Sequence, residues 1–184
     1  MLTDLQKRKL MLTFNAFDHD RDGMLEQQDF EGLAVNLAKA FNVEADSSTY
    51  PQLQQTLQEH WQQLHELAGN GQDQVDPESW LRFYDTLFSS PESTSAYLNT
   101  YMDGFYALWD LVDPAAAGQG TTLKRFKGMY RAYGLDEAVG EDAFRRMDTN
   151  GNGVIDRNEM YQRVMEFYGS DPDAPGNWLL GPYE

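Results

Sequence analysis

The chain has 184 residues, 41% of them hydrophobic and 13% aromatic, which is enough apolar material to fill the core of one good-sized domain or two small ones. Thirty acids against fourteen bases give a formal charge of −16. That balance excludes nucleic acid and anionic membrane as expected partners, since both need a basic footprint, and it suits cations. With no cysteine, disulfides, thiolate metal sites and cysteine nucleophiles are all excluded.

The first element starts at Thr3-Asp4-Leu5-Gln6, a capping box, and carries Leu5, Leu10, Phe14 and Phe17. Lys7, Arg8 and Lys9 are followed by an apolar stretch that Asn15 and Asp18 cut short, so no secretion leader is expected. No segment has the roughly 18 apolar residues of a membrane helix, and the cytoplasm is the expected location. Phe30, Leu33, Leu37 and Phe41 mark a second helix. Leu53, Leu57, Trp61, Leu64 and Leu67 mark a third that starts near Pro51. Asp76-Pro77 opens a fourth, bearing Trp80, Phe83, Tyr84 and Leu87.

Ser90-Pro91 then caps a long fifth helix with Tyr97, Tyr101, Phe105, Leu108 and Val112. Phe126, Met129 and Tyr130 mark a sixth that stops near Gly134. Ala143, Phe144 and Met147 mark a seventh, and Met160, Val164 and Phe167 an eighth. The fold class is all-α. The tail, 169–184, has too many prolines and glycines for an α-helix, yet Trp178, Leu179 and Leu180 are too apolar for water. It is expected to fold back over an apolar groove.

Between the helices lie two acidic runs, DHDRDGMLEQQD at 18–29 and DTNGNGVIDRNE at 148–159. Both follow D-x-[DN]-x-[DN]-G with a carboxylate six residues after the glycine, the pattern of the EF-hand loop. Oxygens at positions one, three and five converge as the backbone turns, and Gly23 and Gly153 supply the sharp bend at position six. Position seven offers a carbonyl, and position eight (Leu25 or Ile155) is apolar because it pairs with a neighbouring loop as a short strand. The flanks match as well: Phe14 and Phe17 precede one loop where Phe144 and Met147 precede the other. The expected metal ligands are Asp18, Asp20, Asp22, Met24, Glu26 and Asp29 in the first loop. In the second they are Asp148, Asn150, Asn152, Val154, Asp156 and Glu159.

EF-hands bury their apolar faces in pairs, and two retired partners fit. Residues 68–79 keep an apolar Val75 but have Ala68 first and Ser79 last. Residues 113–125 are one residue too long, and Arg125 closes them with a positive charge. The architecture read is four helix–loop–helix units in two pairs forming one compact globule, with short β-pairing between loops. Residues 1–90 hold one pair. Residues 91–184 hold the other, together with the tail.

On these motifs the chain resembles the sarcoplasmic calcium-binding proteins and their prokaryotic relative calerythrin. The resemblance covers essentially the whole chain. It implies a Ca²⁺/Mg²⁺ buffer with no catalytic activity, whose ligands are calcium ions at two sites. No protein partner is assigned, and a monomer is expected. Asp29 stands where glutamate would give two metal oxygens. Its shorter reach favours six ligands and admits Mg²⁺ at the 18–29 loop, while the Glu159 loop prefers Ca²⁺. Two other readings are a calcium sensor, which would expose a methionine-rich groove, and a photoprotein or luciferin-binding protein. The eight methionines are spread along the chain and read as core fillers. The histidines, which such light-emitting systems look to need in the core, lie in the first loop (His19) and on a partly polar helix (His60, His65).

Overall fold

The computed structural model describes residues 1–69 and 73–183. Among them are eight α-helices: α1 (Asp4–Phe17), α2 (Gln27–Phe41), α3 (Thr49–Ala68), α4 (Pro77–Leu87), α5 (Pro91–Val112), α6 (Leu123–Ala132), α7 (Glu137–Met147) and α8 (Arg157–Tyr168). Two short strands, β1 (Thr121–Thr122) and β2 (Val154–Ile155), pair antiparallel. The all-α reading with short strand pairing between loops therefore holds.

Local chemistry sets most of the helix ends. The Thr3 hydroxyl accepts from the Gln6 N–H at 3.2 Å, and Gln6 Oε1 accepts from the Thr3 N–H at 3.0 Å, closing the capping box. Asp76 and Ser90 each accept from the backbone three residues on, and a proline follows each at the first helical position. Gly134, at φ 66°, takes the left-handed turn that ends α6. One boundary differs from the sequence reading. Helix α3 starts at Thr49, two residues before Pro51. Proline is tolerated in a first turn, whose N–H groups have no intrahelical partner, so it does not mark the start itself.

Aromatic side chains hold the helices together. In the first half, Phe17 stacks on Phe30 at 5.5 Å and Phe30 meets Trp61 at 5.5 Å, while the indole N–H of buried Trp80 donates to the Leu10 carbonyl at 3.0 Å. In the second half, Phe126 lies edge-on to Phe144 at 5.8 Å. Other pairs cross between halves: Phe41 with Trp109 at 5.3 Å, Phe17 with Tyr133 at 5.7 Å, and Tyr84 stacked on Tyr168 at 5.6 Å. Gly128 permits one such crossing, since a Cβ there would lie 2.5 Å from the Phe41 ring. The molecule thus has one continuous apolar core. No helix of the described residues is long and apolar enough to cross a membrane.

The tail packs against α7 and α8, with a short 3-10 turn at Pro175–Trp178. Its anchor is Lys9 of α1, whose side chain is buried. The amine donates to Asn177 Oδ1 at 2.6 Å, to the Gly169 carbonyl at 2.9 Å and to the Glu166 carbonyl at 3.3 Å. Asn177 is fully buried and donates in turn to the Asp171 and Pro172 carbonyls. Arg146 stacks 3.9 Å above the Trp178 ring.

Burial lowers the Lys9 amine to about 8 from 10.5, against the opposing pull of the Asp171 charge. The unfolded chain therefore holds this proton more tightly than the folded one. What Lys9 contributes to stability must rise as pH climbs from about 8 towards 10.5. In urea melts of wild type and Lys9→Met, the stability difference should shift in favour of wild type between about pH 8 and pH 10. A pH-independent difference would contradict the burial argument.

Candidate metal centres

Both acidic runs fold as turns between two helices. The 18–29 loop joins α1 to α2, and the 148–159 loop joins α7 to α8. Their internal hydrogen bonds correspond position by position. Asp18 Oδ2 accepts from the Gly23 N–H at 3.0 Å, as Asp148 Oδ2 accepts from the Gly153 N–H at 2.8 Å. Asp20 Oδ1 accepts from the Asp22 N–H, and Asn150 Oδ1 from the Asn152 N–H. Asp22 Oδ1 accepts from the Met24 N–H, and Asn152 Oδ1 from the Val154 N–H. Each short polar side chain thus folds the backbone ahead of it.

The bends need left-handed backbone at positions four and six. Gly151 (φ 68°) and Gly153 (φ 81°) supply both in the second loop. In the first, Gly23 (φ 88°) supplies one, and Arg21 is held at φ 62° for the other. A non-glycine residue there costs about 1–2 kcal/mol, so the first loop carries backbone strain that the second avoids.

The closing residues differ as a methylene dictates. Asp29, 2% exposed, is tied on both oxygens: Oδ1 accepts from the His19 N–H at 2.8 Å, and Oδ2 from the Glu26 N–H at 2.8 Å. Desolvation pushes its carboxyl above the usual carboxylate range; the N–H groups of Glu26, His19 and Asp20 pull the other way, and the Asp20 charge adds to the rise. Glu159 reaches further. Its Oε1 accepts from the Asn150 side-chain amide at 2.5 Å and its Oε2 from the Asp156 N–H at 3.2 Å. The ninth positions also diverge. Glu26 accepts a hydrogen bond from Gln74 in the facing loop, whereas Asp156 caps α8 by accepting from the Glu159 N–H at 2.9 Å.

Oxygen atoms of Asp18, Asp20 and Asp22 lie within 4.8 Å of one another. At such separation each carboxylate pair repels by about 1 kcal/mol in water and several near a protein surface. Asp18 is 6% exposed, and its Oδ1 is buried without a hydrogen-bond partner. A buried, unpartnered carboxylate oxygen beside two further carboxylates is costly alone and suited to a hard divalent cation. In the second loop, Asp148 and two asparagine amides form an all-oxygen set of lower charge.

The partner loops are placed by backbone pairing. Leu25 and Val75 exchange N–H···O bonds of 3.0 and 2.9 Å, and Thr121 faces Ile155 in the β1–β2 ladder. In the 68–79 loop, Asp76 caps α4, and Asn70, Gly71 and Gln72 lie outside the described residues. In the 113–125 loop the register locates the extra residue. Counting from Thr121 as position eight, Arg125 falls at position twelve, opposite Glu159, so the insertion lies upstream of β1. Neither the Gln74–Glu26 bond nor the partners of Arg125 are legible in the sequence, because both join residues brought together only by the folded loops.

Paired helix–loop–helix units around oxygen-lined turns are EF-hands, and the comparisons agree. The family-wide model of the EF hand matches residues 10–34 and 141–165. Calerythrin from Saccharopolyspora erythraea is 29% identical over 171 residues, covering 91% of this chain and 94% of that protein. The sarcoplasmic calcium-binding protein from amphioxus superposes with a TM-score of 0.74 at 21% identity, over 99% of both chains. The coelenterazine-binding protein from Renilla muelleri, solved in a Ca-loaded apo form, superposes with a TM-score of 0.78 at 24% identity, over 98% of this chain and 99% of that one. Over most of its length the chain is thus similar to calerythrin and the sarcoplasmic calcium-binding proteins, with EF hands at the two matched segments.

Glycine at position six is required by its backbone alone, since a Cβ on Gly153 would meet nothing within 4 Å. Gly153→Ala should therefore cost about 1–2 kcal/mol in chelator, and Gly153→Asn distinctly less, because asparagine tolerates the left-handed region. Thermal melts of the two variants check this. Equal losses would mean that sterics, not φ, decide the position.

Proposed function

We propose that this chain is an intracellular Ca²⁺/Mg²⁺ buffer that binds two ions, one in the 18–29 loop and one in the 148–159 loop. The carrying observation is the shared geometry of those loops, with Asp18 Oδ1 buried and unpartnered in one of them. The ligands are Asp18, Asp20, Asp22, the Met24 carbonyl, Glu26 and Asp29 at one site. At the other they are Asp148, Asn150, Asn152, the Val154 carbonyl, Asp156 and Glu159. Glu26 reaches its ion directly or through water after leaving Gln74. The 1–90 and 91–184 pairs are the units, each with one working loop and one supporting loop. The chain acts as a monomer in the cytoplasm and without catalysis. The relatives support this reading through the calcium named for the amphioxus protein.

A buffer is favoured over a sensor because the apolar interior is closed. Leu179 and Leu180 of the tail line the far wall of a cavity walled also by Phe17, Tyr101, Tyr133 and Phe167. That cavity has a volume of about 30 Å³, room for about two waters. Organic ligands take pockets of roughly 300–1,000 Å³, so this cavity is too small for a luciferin.

Two measurements test the reading. A hydrophobic dye should show little change in exposed apolar surface when Ca²⁺ is added, while the melting temperature rises by ligand linkage. A large calcium-dependent dye signal would replace the buffer with a sensor. In titration calorimetry, Asp29→Glu should weaken Mg²⁺ competition at the first loop by roughly tenfold, equivalent to about 1.4 kcal/mol. Unchanged competition would refute the chain-length argument.

A further inference from the structure

The 113–125 loop lacks the carboxylates of its partner, yet it is folded and holds its strand against β2. What takes the place of the ligand cluster is a side chain. Arg125 is 1% exposed. Its Nη1 donates to the Gly120 carbonyl at 3.3 Å. Its Nη2 reaches the Asp113 carbonyl at 3.0 Å, the Trp109 carbonyl at 3.3 Å and Asp110 Oδ1 at 3.2 Å. Its Nε lies 3.5 Å from Asp113 Oδ2 as an ion pair.

These acceptors are not arbitrary. Asp113 ends α5 as Asp148 ends α7, so it is the acid that opens the loop. With Thr121 opposite Ile155, Gly120 is the position-seven counterpart of Val154. Arg125 itself is the position-twelve counterpart of Glu159. The guanidinium therefore collects the opening carboxylate and the position-seven carbonyl, the same kinds of oxygen that a cation would gather in the neighbouring loop. Gly120 lies so close to the other loop that a Cβ on it would be 2.8 Å from the Ile155 carbonyl. Gly120 thus sits directly against β2, beside the Ile155 carbonyl and the Val154 side chain.

We propose that Arg125 is a built-in cation of the 113–125 loop: its guanidinium gathers the oxygens that an ion would otherwise hold and presets the β1–β2 pairing, so that the 148–159 loop is preorganised before any metal arrives. The effect on metal affinity rests on the reading of the 148–159 loop as a metal site. The structural half does not. Arg125 is a positioning residue on this account, acting on the neighbouring loop through Gly120 and β1.

The sign of the effect separates positioning from plain charge. Removing a positive charge near an ion site would raise cation affinity if only long-range electrostatics mattered. Loss of preorganisation lowers it. The experiment uses the full chain and the variants Arg125→Gln and Arg125→Lys. In chelator, Arg125→Gln should lose amide-exchange protection at Thr121 and Ile155 by at least tenfold and melt roughly ten degrees lower. Arg125→Lys keeps the charge but not the planar fork, and should lose protection by at least threefold but less than Gln does.

With Ca²⁺, the amide signals of Gly23 and Gly153 report the two loops separately, since each donates to its loop's first aspartate. Arg125→Gln should weaken calcium binding at Gly153 roughly tenfold and change Gly23 by less than twofold. Unchanged protection in either variant, or equal losses in both, overturns the proposal. So does calcium affinity at Gly153 that is unchanged or raised. Should Arg125→Gln not fold, Arg125→Lys carries both readouts with the same expected direction. A wild type whose Gly153 signal ignores Ca²⁺ would sink the metal reading of that loop, while the exchange result in chelator would still decide the role of Arg125.

Discussion

Backbone pairing between loops is the constraint from which the rest of the structure follows. Leu25 with Val75 and Thr121 with Ile155 are small contacts, two hydrogen bonds in the first case and a two-residue ladder in the second. Each nevertheless fixes where two pairs of helices diverge, because a helix leaves every loop on both sides. Once the eighth positions face each other, the acids at positions one, three and five can only turn into their own loop. The apolar faces of the flanking helices can only meet in the shared core. Leu25, Val75 and Ile155 are accordingly among the most buried residues of the molecule.

The acidic loops and their partner loops use that constraint differently. In one half, Glu26 of the acidic loop accepts from Gln74 of its partner, so the two are tied by a side-chain bond as well as by backbone. In the other, Asp156 stays within its own loop as a helix cap, and the loops are tied by the β1–β2 ladder alone. The halves are then joined through aromatic rings, Phe41 on Trp109, Phe17 on Tyr133 and Tyr84 on Tyr168. Rings suit this task because they bury large areas with few rotatable bonds.

Much of this was legible in the sequence, and what was not has a common cause. Helices such as α1 and α4 carry their own caps, and the EF-hand loops carry their own turn chemistry, so short-range rules reach them. The start of α3 near Pro51 follows from proline's tolerance in a helix's first turn, where Pro51 sits two residues after Thr49. The positive charge of Arg125 at the end of its loop is plain in the sequence, but it says nothing of the partners of that charge. Those partners, Asp113, Gly120 and Trp109, become neighbours only when the loop closes. The left-handed Arg21 was likewise invisible, since arginine has no preference of its own for that conformation.

The Lys9 amine has a further consequence, for the order of events during synthesis. Its side-chain partner Asn177 lies 168 residues further along the chain, and its carbonyl partners at Glu166 and Gly169 lie almost as far. Lys9 therefore waits, wet and charged, until the chain has been made as far as Asn177. Helix α1 can form at once, but its seat beside α8 stays open until the tail arrives to accept that proton-bearing amine. The fold is closed when α1 meets the segment around Asn177, and a chain stopped short of Asn177 lacks the group that closes it.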